Sequence, residues 1–199
     1  MSHFHRDNDG QKRVRDTVLI PCFYEGKYRH YVLADGGPFA KLLQDLAVDT
    51  ILQRHGGLIV SVEEKIVRWR GSAYIKIALE TMACTVEGKE KKGMMHYGKC
   101  DWLLYGMCQE NGDLLVYIIR FGWLKEAFWP EVESFDEIIS DQKNQTICRL
   151  VPLDWIREKS LMLSEFRLVP PPAGREAVIA YNKERSGDSG WKRPASLGA

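Results

Sequence analysis

The sequence predicts an α+β fold: a mixed central β-sheet with an N-terminal hairpin, an early helix at about residues 38–54, and C-terminal helices. Three observations predict it. Short β-rich runs recur from Thr17 to Val151, a helical apolar stripe sits among them, and glycine-bounded turns separate the runs. The organisation expected along the chain is a disordered N-terminus at 1–16, a single α/β domain at 17–169, and a mostly disordered tail at 170–199.

Thr17 to Tyr24 and Tyr28 to Leu33 read as two short strands, with Glu25-Gly26-Lys27 between them as the hairpin turn. Pro38 fits the first position of a helix running to Arg54, with Phe39, Leu42, Leu43 and Leu46 as its apolar stripe. Asp49 falls on or beside that inward stripe, and His55-Gly56-Gly57 ends the helix. Two long strands follow, about Leu58 to Trp69 and Tyr74 to Thr85, joined through Arg70-Gly71-Ser72-Ala73. A charged loop from Glu87 to Gly93 leads to a helical turn near Met94. Asp101 to Cys108 and Leu114 to Phe121 then form strands across Asn111-Gly112, the strongest short hairpin signal in the chain. A short helix from Trp123 stops at Pro130, residues 131–145 read as irregular, Thr146 to Val151 as a last strand, and Leu153 to Leu163 as an amphipathic helix.

With 199 residues, 45% hydrophobic and 28% charged, the chain has an ordinary globular composition. No apolar run reaches the length of a membrane span, and the first residues lack the apolar middle of a signal peptide, so the expectation is a cytoplasmic protein without a membrane partner. The five cysteines are an odd, scattered set that suits buried thiols better than disulfides. His96 and Cys100 are four apart, but no second pair completes a zinc site. A net charge of +1 gives no global basic field, so any nucleic-acid binding falls to local patches.

Chemistry concentrates between Gly56 and Cys84. By the two-residue strand period, Val60, Val62, Glu64 and Ile66 share one face, while Ser61, Glu63, Lys65 and Val67 share the other. A carboxylate buried without a partner costs several kcal/mol, so Glu64, set among aliphatic residues, calls for a compensating partner such as a cation or a metal. Carboxylates from the helix (Asp49) and two strands (Glu64, Glu80), together with Lys65, are the parts a metal-dependent phosphodiesterase needs. The plainer reading pairs Glu63 with Lys65, Glu64 with Arg68 and Glu80 with Lys76. Arg68, Arg70, Lys89, Lys91 and Lys92 are candidate phosphate contacts, although a charged loop is more simply a solvated one. Trp69, Trp102, Trp123, Trp129 and Tyr97 can stack on bases but more often fill cores.

The order of a helix with an inward acid, two strands with acid and lysine, and a further strand resembles the PD-(D/E)XK nuclease fold. VSVEEKIVRW, IALETMAC and YGKCDWLLYGM are similar to small proteins of that type from phages and mobile elements, over about residues 38–121. The resemblance implies Mg²⁺ or Mn²⁺ held by Asp49, Glu64 and Glu80, with Lys65 as the lysine. It implies nucleic acid, DNA first, as substrate, and a homodimer among the arrangements open to it. The sequence has no Pro-Asp, and Thr81-Met82 follows Glu80 where the motif has x-Lys. Lys65 serves with Glu64 only across a local bulge; otherwise Glu63 and Lys65 are the working pair and Glu64 is structural. A non-catalytic descendant of the fold, binding nucleic acid or protein, and a structural or assembly protein whose sheet merely pairs its charges are the competing readings.

Overall fold

A computed structural model describes residues 3–32, 42–43, 46–54, 56–68, 76–84, 90–141 and 146–183. Among these, the strands form two sheets, one of six in the order β1 (Tyr28–Val32), β2 (Thr50–Arg54), β3 (Ile59–Val67), β6 (Trp102–Cys108), β7 (Leu114–Arg120), β10 (Met162–Leu168), and one of four in the order β5 (Glu90–Lys92), β4 (Lys76–Cys84), β9 (Thr146–Pro152), β8 (Asp136–Asp141).

The N-terminus departs from expectation. Residues His3–Val14 form helix α1, which continues as a π-helix over Arg15–Tyr24. The first strand expected over Thr17–Tyr24 is helical instead. The β-branched and aromatic run TVLIPCFY imitates a strand in composition, yet its buried members recur as Val14, Val18, Leu19, Phe23 and Tyr24, one flank of a wide helix. Pro21 lies inside the π-helix. A proline ring collides with the carbonyl four residues back in an α-helix, and the wider i→i+5 ladder relieves that clash. The last rung shows the pattern, with Glu25 N–H donating to Ile20 O at 2.8 Å. Gly26, at φ +80°, then turns the chain, joining the helix to strand β1 (Tyr28–Val32) rather than closing a hairpin.

The early helix also ends sooner than its apolar stripe implies. Leu42 and Leu43 are helical, but Ala47 stands at φ +53° and Val48 N–H bonds to Leu43 O at 3.0 Å, a left-handed helix stop. Thr50–Arg54 is strand β2, antiparallel to β1, because Thr50, Ile51 and Leu52 fit a pleated surface with Thr50 and Leu52 buried. Most of the remaining 38–54 segment lies outside the described residues.

Strand β3 (Ile59–Val67) and strand β4 (Lys76–Cys84) exist as expected but do not pair with each other. β3 pairs antiparallel with β2 and parallel with β6 (Trp102–Cys108), whereas β4 leaves for the second sheet. Parallel pairing needs a long crossover. Here it contains β4, β5 (Glu90–Lys92) and a single helical turn, α2 (Met94–Tyr97). The β6 hairpin to β7 (Leu114–Arg120) follows the Asn-Gly signal, with Gly112 at φ +86°.

Helix α3 (Phe121–Phe128) passes at Pro130 into a 3₁₀ segment, Trp129–Ser134. The next stretch, expected to be irregular, is edge strand β8 (Asp136–Asp141), paired with β9 (Thr146–Pro152). Helix α4 covers only Leu153–Glu158, since Ser160 at φ +56° breaks it, and Met162–Leu168 becomes strand β10 against β7. Pro172–Lys183 is helix α5, with Ala177, Val178 and Tyr181 buried. Residues 184–199 lie outside the described set.

The six-stranded sheet is covered on both faces. Leu52, Val60, Val62, Ile66 and Leu104 pack under Val14, Val18, Leu19, Tyr24 and Val178 of α1, the π-helix and α5. On the opposite face Leu103, Tyr105 and Ile119 pack with Ile77, Leu79 and Val151 of the second sheet and with Met95, Phe121 and Phe128. A smaller cluster of Ala78, Ile138, Cys148 and Leu150 covers the far face of β4 and β9. Among the described residues, no helix is long and apolar enough to cross a membrane.

Candidate functional site

The candidate site forms where β2 and β3 of the first sheet meet β4 of the second. Thr50 lies opposite Val62, so Asp49, one residue earlier, stands beside Glu63. Asp49 extends the ladder by one rung on each side of its Cα. Its N–H donates to Val62 O at 2.8 Å, and its Oδ2 accepts Glu64 N–H at 2.8 Å. Its carboxyl group is also within hydrogen-bonding reach of Glu63.

Strand alternation holds through β3 without a register shift, so Glu63 and Lys65 share the face toward β4 and Glu64 faces the other way. Lys65 Nζ donates to Ala78 O at 3.2 Å. The same peptide is gripped a second time, because Ala78 N–H donates to Tyr105 Oη at 3.2 Å. Glu80 follows two residues on, close enough for its charge to bear on both Lys65 and Glu63. It sits at a register shift between Glu80 and Met82, where the extra residue bends β4. Gly93 allows the close approach there; a Cβ on it would lie 2.7 Å from Glu80 O and from the Thr81 carbonyl carbon. A pair of acids and a lysine are thus set at a bend between two sheets.

The electrostatics follow from burial. Glu63 keeps partial exposure as a residue, but its charged end is shielded. Desolvation first, then the Asp49 charge, push its carboxyl well above the ordinary range, and Lys65 only partly opposes this. Desolvation also raises Asp49, while the Glu64 N–H and Glu63 pull it back. Both carboxyls are thus held above the ordinary range, as expected of acids that do not readily both ionise at close range. Burial alone would lower Lys65; Cys148, Tyr105, Glu80 and Glu63 around it outweigh that, so the net shift is upward and the ammonium persists.

Glu64 has a different environment. Tyr24 Oη donates to its Oε1 at 2.6 Å. Burial raises Glu64, and the bond from Tyr24 moderates the rise. Tyr24 in turn is held well above its ordinary range by burial and then by the Glu64 charge, so it stays a donor. Thr50 Oγ1 lies against Glu64 and helps to lower it, yet neither Thr50 Oγ1 nor Glu64 Oε2 completes a hydrogen bond of good geometry, and both atoms are buried.

Two of the three ion pairs of the plainer sequence reading are replaced by others, while Lys65 does act on Glu63. Lys76 reaches Asp136 at 2.7 Å instead of Glu80. Arg68 bonds the Tyr181 carbonyl at 2.7 Å and stacks on that ring at 4.2 Å, tying β3 to α5 rather than to Glu64. Lys91 and Lys92 are exposed on β5, and Lys91 stands 5.8 Å from the Tyr97 ring centre. Arg70 and Lys89 lie outside the described residues. His96 packs at a tilt on Trp129, ring centres 4.3 Å apart, while burial drives the Cys100 thiol upward. Asp101 ties β6 to β3 by accepting Ser61 N–H at 2.8 Å and Ser61 Oγ at 2.7 Å.

Tyr24, Thr50 and Tyr105 were not among the sequence-derived candidates. Nothing local marks them, since each reaches the site through tertiary contact. Among the described residues, no group of three or more His, Cys, Asp or Glu side chains is arranged to hold a metal ion. No protein-family model, curated protein or solved structure matches the chain.

Proposed function

We propose that the chain is a divalent-cation-dependent hydrolase of phosphodiester bonds, acting on nucleic acid at the Asp49–Glu63–Lys65 site, in the manner of PD-(D/E)XK nucleases. The observation that carries this reading is the buried Asp49–Glu63 acid pair beside the buried Lys65 ammonium. Two carboxylates held close at a cost in desolvation are a preformed demand for positive charge. Mg²⁺ is commonly held by one or two carboxylates with waters and substrate phosphate completing its shell, so this acid pair fits it, with Glu80 at the rim.

When bound, the cation would offset phosphate charge and lower the pKa of a coordinated water. Lys65, an ammonium at the same face, would donate to a phosphate oxygen or to the attacking water. Asp49 and Glu63, both raised, must ionise to take the cation, so cation binding releases protons and tightens as pH rises. In this reading Glu63, rather than Glu64, takes the place of the motif's acid next to Lys65. Glu64 is held by Tyr24 on the opposite face.

The test is cleavage of DNA by the full chain in Mg²⁺ or Mn²⁺. Glu63→Gln is expected to abolish it and Glu80→Ala to reduce it; cleavage undiminished in Glu63→Gln would refute the assignment. The second reading, an inactive nuclease-like module that binds nucleic acid or protein, is favoured by the lack of a three-residue metal group among the described side chains. DNA binding without cleavage in either metal selects it.

A further inference from the structure

The polar cluster on the back of β3 has no part in the chemistry just described, yet two hydrogen bonds, one to the side chain and one from the main chain of Glu64, join it to that chemistry. Tyr24 Oη donates to Glu64 Oε1 at 2.6 Å, and Glu64 N–H donates to Asp49 Oδ2 at 2.8 Å. We propose that Tyr24 is a positioning residue for the acid pair, its hydroxyl fixing Glu64 so that the Glu64 peptide fixes Asp49. The proposal rests on the hydrolase reading for its functional meaning, and on geometry alone for the linkage.

Three features support it. First, Asp49 lies just before β2 begins, and there its side-chain carboxylate, not a main-chain carbonyl, accepts the Glu64 N–H. The Asp49 carboxylate fills that rung, so its position depends on where the Glu64 amide points. Second, Tyr24 is fully buried and its phenol supplies the hydrogen bond of good geometry that Glu64 receives from another side chain; Glu64 Oε2 lacks one. A buried carboxylate with one oxygen already unsatisfied holds its rotamer by the bond that remains. Third, Tyr24 is the last residue of the π-helix, an element that is rare and usually short, and that is found mostly at functional sites. An α-helical winding of Arg15–Tyr24 would rotate the final side chain away from β3, because each residue turns further about the axis.

The linkage makes the N-terminal segment a support for the site rather than an appendage. Its aromatic neighbours fix the tyrosine laterally, with the Phe23 ring 5.3 Å from Tyr24 and 4.9 Å from Phe166 of β10. Removal of the hydroxyl alone therefore leaves the ring packed and isolates the hydrogen bond.

The experiment compares Tyr24→Phe with Tyr181→Phe in the full chain. Tyr181 is an apt control, since its hydroxyl donates to Ile66 O at 3.2 Å in the same layer and it touches neither Asp49 nor Glu64 through any bond described above. The first readout is amide hydrogen exchange without metal. Tyr24→Phe is expected to speed exchange of the Glu64 amide about tenfold beyond any rise common to β3, whereas Tyr181→Phe leaves that amide in step with its neighbours. The second is Mn²⁺ affinity, expected to weaken about tenfold in Tyr24→Phe and to hold in Tyr181→Phe. Equal behaviour of the two variants at the Glu64 amide overturns the proposal, as does equal Mn²⁺ affinity in a protein that binds the ion. If the unmodified chain binds no Mn²⁺, the hydrolase reading fails, and the exchange of the Glu64 amide alone decides the positioning role.

Discussion

Glu63 and Glu64 are neighbours in sequence with opposite destinies, and the difference is one strand step. Glu63 turns toward β4 and lies against Asp49, while Glu64 turns toward the π-helix and receives Tyr24. Because burial raises Glu63 in the folded protein, the stability it contributes is fully present below the ordinary glutamate range. That contribution is lost as pH climbs through the raised value. Without added metal, the melting temperature is thus expected to fall as pH increases from acid toward neutral, and Glu63→Gln is expected to flatten that slope. Asp49 and Glu64 are shifted in the same direction, so the slope shrinks but does not vanish. A melting curve of Glu63→Gln that tracks the parent at every pH would show that Glu63 is not held above its ordinary range. Cys108 illustrates the same physics without function, since burial lifts its thiol to about 12 and leaves it inert to alkylation in the native state.

At the scale of elements, the bend at Glu80 and the approach of Gly93 are one device. Alanine at 93 would put a carbon 2.7 Å from main-chain atoms of Glu80 and Thr81, which cannot move aside as a flexible side chain can. Gly93→Ala is expected to cost roughly 1–3 kcal/mol in urea unfolding. It should also displace Glu80, so any cleavage activity should fall by more than stability explains. The stop of α4 offers the opposite sign. Ser160 carries φ +56°, a conformation that glycine adopts without steric penalty. Ser160→Gly is expected to raise stability by up to about 1 kcal/mol, and a loss of stability would mean that its side chain has an unrecognised role.

The molecule as a whole is a six-stranded sheet held between a helical layer and a second, smaller sheet, and the site lies at the seam of the two sheets. The helical layer joins both ends of the described chain, with α5 packed on α1 and the π-helix. Truncation before Pro170 is expected to expose Val14, Val18 and Leu19 and to deprive Arg68 of its Tyr181 carbonyl. Limited proteolysis should then cut within α1 and the π-helix, and resistance there equal to that of the full chain would mean that α5 is dispensable.

How much of this was readable in the residues differs from segment to segment. The strands from Ile59 to Cys84, the Asn111-Gly112 hairpin and the turn at Met94 stand where local pattern puts them, because period-two alternation and turn chemistry are local signals. The π-helix was hidden by β-branched composition, and α5 by the proline and glycine around it. Tertiary burial overrides propensity in both. β2 was hidden by a helical stripe that ends at the positive φ of Ala47.

By itself, then, the sequence determined an α+β chain with Glu63, Glu64, Lys65 and Glu80 on two strands; it set Asp49 on a helix and left open which glutamate pairs with Lys65. Only the tertiary structure decided the partners. The register of β2 on β3 set Glu63 next to Asp49, the crossover carried Glu80 to the other sheet, and the N-terminal helix brought Tyr24 to Glu64. The physical reason is that alternation fixes which face a side chain takes but not what covers that face. What covers it is chosen by strand order and layer packing, which no local stretch of sequence encodes.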